Sequence, residues 1–202
     1  MTAKADLHST SLMLVLSFGT GILDAATYLG LHGVFTANMT GNVVFVGLGL
    51  ADGDSVPLLR AALALGGFAL GASVVGLVQR GRAVASPDHD RVAAGTFLLT
   101  GLVVAATAWG LWALPDPSTL LLDLVTAALA FAMGAQAVAA RRIAVSDVST
   151  VVVTSTLAGL VAEAPWSGGT ASGRSTLRRF SAVATMGAGA VAGAFLLRLG
   201  IA

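Results

Sequence analysis

The chain has no cysteine, one tyrosine and very little charge. The missing thiols remove disulfides, thiolate nucleophiles and cysteine metal sites together. Charged residues make up 10% of the 202 positions, where a water-soluble domain carries about a quarter. So few charges cannot cover a water-facing surface, and the outer face must be turned largely to lipid. A net charge of +1 gives no basic field for nucleic acid. The three histidines, His8, His32 and His89, have no metal-ligand spacing. No nucleophile elbow, zinc helix or phosphate loop is present. Composition and motifs point away from an enzyme and from a resident metal or cofactor.

What is present is apolar. Hydrophobic residues reach 56% and mean hydropathy is +0.88. The pattern predicts an all-α integral membrane protein with about seven transmembrane helices: Ser11–His32, Val34–Ala51, Pro57–Gln79, Arg91–Leu114, Thr119–Ala140, Val145–Ala162 and Ser175–Leu199. The second and sixth are short and polar, so six spans plus a re-entrant segment is the alternative. Distributing the basic loops gives a slight bias toward an outside N-terminus, with Arg174, Arg178 and Arg179 against it.

The single membrane domain, 1–202, divides further. Segment 11–79 resembles segment 119–199, with 91–114 as a linker helix. Asp24 stands opposite Gln136, Thr40 opposite Thr154, and GFALGA at 67–72 opposite GAVAGA at 189–194. With every helix crossing, the second copy begins four helices after the first. A 3+1+3 repeat with both copies in the same direction is then expected, similar in topology to the SWEET sugar transporters. The pairs Gly67/Gly71 and Gly189/Gly193 put small residues on one helix face, for close packing, a hinge or a dimer seam.

Polar side chains at membrane depth mark the interior. Asp24 sits past the middle of an apolar run, where a carboxylate costs about 2.5–3.5 kcal/mol on insertion scales, and should face the bundle. It is an acceptor for backbone near Gly41, a cation or proton site, or an inert protonated acid. Asn38 and Asn42, at i, i+4, share one face, and Thr36 and Thr40 share another. Gly41 between them invites a break whose carbonyls and amides form a solute site; the alternative is that the amides bond neighbouring helices. Ser146, Thr150 and Thr154 line one face of the sixth segment, with Asp147 alongside in a structural role. The candidate site for a small polar solute or ion is therefore Asp24, Asn38, Thr40, Asn42, Gln136, Thr150 and Thr154.

The stretches SFGTGILDAATYL (17–29) and GVFTANMTGNVV (33–44) resemble the YoaK-like family of bacterial membrane proteins, a domain of unknown function. FAMGAQ (131–136) and VVVTSTL (151–157) fit as well. The family often shows an Asn soon after the Gln and a TGT-like triplet. Here Ala137 follows and the triplet is Thr154-Ser155-Thr156, so the second polar site need not equal the first. The resemblance implies a multi-pass protein of the bacterial plasma membrane, without an activity. The sequence supports a transporter or channel in the lipid bilayer, with an accessory membrane subunit acting through a partner as the alternative. A homo-oligomer stays open.

Overall fold

The computed structural model describes residues 3–31, 33–52, 57–80, 87–114, 116–143, 153–163 and 173–199. The described elements are α1 (Ala3–Gly30), α2 (Met39–Ala51), α3 (Leu58–Val78), α4 (Pro87–Ala113), α5 (Thr119–Ile143), α6 (Val153–Ala162) and α7 (Gly173–Arg198). Five of them, α1, α3, α4, α5 and α7, contain apolar stretches long enough to cross a membrane. Their outer faces carry large apolar side chains such as Leu70, Leu98 and Phe195, as lipid requires.

The second segment is not one 18-residue span. Gly33, at φ 82°, turns the chain after α1, and Val34–Asn38 is non-helical. The helix starts only at Met39 and has 13 residues. At 1.5 Å per residue it covers about 20 Å of a core about 30 Å thick. α6 has 10 described residues, and residues 144–152 before it lie outside the described ones.

Contacts at the helix ends fix direction. At the start of α3, Arg60 donates Nη1 to the Leu31 carbonyl after α1 (3.3 Å) and Nε to Asp123 Oδ1 at the start of α5 (2.6 Å). The end of α1 and the starts of α3 and α5 therefore share one face. Met13, Ala140 and Ala182 pack together, so the start of α1, the end of α5 and the start of α7 share the opposite face. Phe97 packs against Val75 and Ala139, which puts the start of α4 there too. α1, α4 and α7 run one way, and α3 and α5 the other.

Two copies in the same direction do not fit this arrangement, because α1 and α5 are antiparallel. The expectation failed on parity: with α2 not crossing, three spans precede α5, an odd number. The same correction sorts the charge. Lys4, Arg80, Arg91, Arg141, Arg142, Arg174, Arg178 and Arg179 all stand at helix ends on the face where α1 begins. Only Arg60 and Arg198 stand on the other, and Arg82 lies outside the described residues.

Glycine sets the two closest crossings. A Cβ on Gly67 would lie 2.5 Å from the Ala127 carbonyl oxygen, and one on Gly71 would strike that of Phe131. Reciprocally, a Cβ on Gly134 would strike the Phe68 carbonyl. α3 and α5 therefore touch backbone to backbone. Gly189 and Gly193 meet the Phe18 and Ile22 carbonyls, and Gly21 meets that of Met186, which joins α7 to α1 in the same way. All four glycines expected on small-residue faces pack helices. Hydroxyls in this interior bond the preceding turn, as Ser17 does to Met13 (2.9 Å) and Thr126 to Leu122 (2.8 Å).

Candidate functional site

The site is built around the hairpin that carries the chain from α1 into α2. Thr36 and Ala37 donate their backbone N–H groups to Asp24 Oδ1, at 3.1 and 2.8 Å. Asn42, fully buried, reaches back to Phe35. Its Oδ1 accepts from the Phe35 N–H (3.1 Å), and its Nδ2 donates to the Phe35 carbonyl (2.6 Å). Non-helical backbone is tolerated at membrane depth only when its polar groups find such partners. Gly41 leaves room for the Phe35 ring, which a Cβ would meet at 2.8 Å. That ring stacks on Tyr28 and Phe45, centroids 5.0 and 5.9 Å away. Asn, Gly and the preceding Asp thus hold a non-helical strand against α1.

The hairpin stops α2 partway down, and its first turn forms part of a cavity of about 630 Å³. Thr20 and Asp24 come from α1; Asn38, Thr40, Gly41 and Val44 from the start of α2. Across from them stand Met133 and Gln136 of α5, Val153 and Thr154 of α6, Phe68 and Met186. The first turn of α2 and the first described residues of α6 border this space, and the N–H groups of the first turn of α2 have no partner within their own helix.

Asp24 is the one ionisable side chain among these lining residues. It is 5% exposed. Its two well-formed backbone hydrogen bonds go to Oδ1; Oδ2 is buried without a bond of that geometry, and the Asn38 N–H also faces the carboxyl. The Thr36 hydroxyl is likewise buried and unpartnered. Thr20 donates to the Leu16 carbonyl (2.8 Å), which leaves its lone pairs for the cavity.

Of the seven residues expected at a site, Asp24, Asn38, Thr40, Gln136 and Thr154 line this one cavity. Asn42 is not among them, and its amide bonds the Phe35 backbone in the hairpin. Thr150, like Ser146 and Asp147, lies outside the described residues. Asp24 accepts backbone hydrogen bonds as one of its expected roles required, but from Thr36 and Ala37 instead of the turn at Gly41. Thr20, Met133 and Met186 went unnoticed in the sequence. Thr20 was within reach, being one turn before Asp24 on the same face; the methionines carry no local signal.

A family described as "Protein of unknown function (DUF1275)" matches residues 12–202. A relative from Bacillus subtilis (strain 168), "UPF0700 transmembrane protein YoaK", is 30% identical over 161 residues, 80% of this chain and 68% of the relative. No solved structure matches.

Proposed function

The chain belongs to the DUF1275 family, and from that premise we propose that it is a non-enzymatic transporter or channel of the bacterial plasma membrane, passing a small polar solute or ion through the central cavity. The observation that carries this reading is the wall of the cavity. Polar side chains from both ends of the chain, Asp24, Asn38 and Thr40 on one side and Gln136 and Thr154 on the other, meet in one space. Polar groups at membrane depth are expensive unless they serve a path or a partner.

The architecture supports it. We read α1–α3 and α5–α7 as two copies in opposite directions, related by an axis in the membrane plane, with α4 between them. Inverted repeats with interrupted helices at the midplane are a recurrent transporter plan. The N-terminal face carries eight of the eleven basic residues, and by the positive-inside rule it is cytoplasmic. An accessory subunit is the second reading, favoured by the engagement of Asp24 Oδ1 and Asn42 in the hairpin.

The cysteine-free chain suits a direct test. Asn38→Cys and Thr154→Cys, in sealed vesicles of either orientation, are expected to react with a membrane-impermeant thiol reagent. A pore gives reaction from both sides, and a transporter gives rates that shift with bound solute. Two thiols protected from both sides would refute the reading.

A further inference from the structure

We infer that the central cavity recognises an organic amine, a protonated nitrogen on a compact apolar body, with Asp24 Oδ2 taking one of its N–H groups. This rests on the transport reading above and specifies its solute. Four observations converge.

Among the described lining residues Asp24 is the one ionisable side chain, with no Lys, Arg or His beside it. An anion therefore finds no counter-charge, and a cation finds one. The carboxyl is also unevenly used: Oδ1 is held by the Thr36 and Ala37 amides, while Oδ2 makes no hydrogen bond of good geometry, with the Asn38 N–H the third backbone donor near the carboxyl. A buried acceptor left unmade is costly, and a charged N–H donor is the strongest partner for it.

Size and lining select the rest of the molecule. About 630 Å³ is far more than a bare metal ion or a proton requires and falls in the range of organic ligand sites. The walls between the polar groups are Val44, Phe68, Met133 and Met186. Such walls suit hydrocarbon, and flexible methionines adapt to more than one shape. Gln136, buried at 9% exposure, lines the far wall of the cavity. Its carbonyl supplies a second acceptor from the far wall, which an ammonium group with several N–H donors can use.

The test is binding to the purified full-length protein in detergent, by calorimetry and by thermal shift. Probes are four primary amines of rising size, methylamine, butylamine, cyclohexylamine and phenethylamine, with phenethyl alcohol and hydrocinnamate as neutral and anionic controls. Binding at millimolar concentration is expected for the larger amines and not for the controls. Asp24→Asn keeps an acceptor for both backbone amides and is expected to fold, with amine affinity falling at least tenfold (about 1.4 kcal/mol). Gln136→Leu, which leaves the hairpin intact, is expected to weaken amines by a smaller factor.

Equal binding of the alcohol or the carboxylate overturns the inference. So does a folded Asp24→Asn protein with undiminished affinity, and so does the absence of binding by every amine. The thiol test separates the two levels. A cavity reachable from the membrane faces that ignores amines sinks the amine and leaves transport standing; a sealed cavity sinks both.

Discussion

Asn42 gives the sharpest test of how the hairpin is held, because two roles for it predict different readouts. Asn42→Ala removes the acceptor for the Phe35 N–H and the donor to the Phe35 carbonyl, bonds of 3.1 and 2.6 Å in a fully buried setting. Each buried backbone group left unmade costs about 1–3 kcal/mol, so with partial relaxation the loss is about 2–4 kcal/mol. Asn42→Asp keeps the acceptor but turns an oxygen toward the Phe35 carbonyl, so it should be no milder. Asn42→Gln keeps both functions on a longer arm and fits poorly at a site with no spare room. The measurement is unfolding of purified protein by heat and by SDS titration. All three variants are expected to unfold earlier, with Asn42→Ala down by several degrees. Alanine leaving stability unchanged while abolishing solute-dependent thiol protection would refute the structural assignment and return Asn42 to the solute site.

Three further outcomes follow from the described contacts. Cysteines at Asp52 and Leu199 should label from the periplasmic side and those at Arg80 and Glu163 from the cytoplasm; a seven-span chain would instead group Asp52 with Glu163 and Arg80 with Leu199. Gly71→Ala should destabilise by about 1–3 kcal/mol through overpacking against the Phe131 carbonyl, while Gly66→Ala, with open space around it, should be neutral or gain up to about 1 kcal/mol of helix propensity, both read by SDS titration. Arg60→Ala should cost about 3–5 kcal/mol by stranding the Asp123 carboxylate, and the paired Arg60→Met/Asp123→Leu variant should recover most of it in the same assay.

How much of this was legible in the sequence depends on the range of each interaction. The membrane class and the five long helices follow from length and hydropathy, which are local. The small-residue faces at Gly67, Gly71, Gly189 and Gly193 were readable because helix periodicity puts them on one side, although their partners were not. The polar cluster around Asp24 and Asn38 was readable because lipid makes such groups conspicuous. The stop in α2 was legible only in part: the short, polar segment and Gly41 allowed a re-entrant stretch or a break, but did not place it at Val34–Asn38. Val34–Asn38 is apolar enough to be helical, and what unwinds it is a carboxyl 12 residues upstream and an amide seven residues downstream. Reading that segment as a full span set the direction of the expected repeat, since direction is counted in crossings. The partner of Asn42 was hidden for a related reason: an amide that bonds the chain's own backbone looks, in sequence, the same as one that waits for a solute.

The glycine crossings set which parts can move together. Each welds a helix from one end of the chain to a helix from the other, α1 to α7 and α3 to α5, by backbone contact that side-chain adjustment cannot loosen. The stiff units are therefore these mixed pairs, with α4 riding on α5, and not the stretches that resemble each other in sequence. α1 and α5 touch only sparsely, and the cavity lies along that seam. The two short helices are the straps between the bodies: α2 leans on α3 while its hairpin is pinned to α1 at Asp24, and α6 leans on α7 with Val153 and Thr154 on the cavity wall. Any opening of the cavity must pull on one of these straps, and at the first strap the pull falls on the two hydrogen bonds to Asp24 Oδ1. A solute that engages the other oxygen of that carboxyl would act on the joint itself.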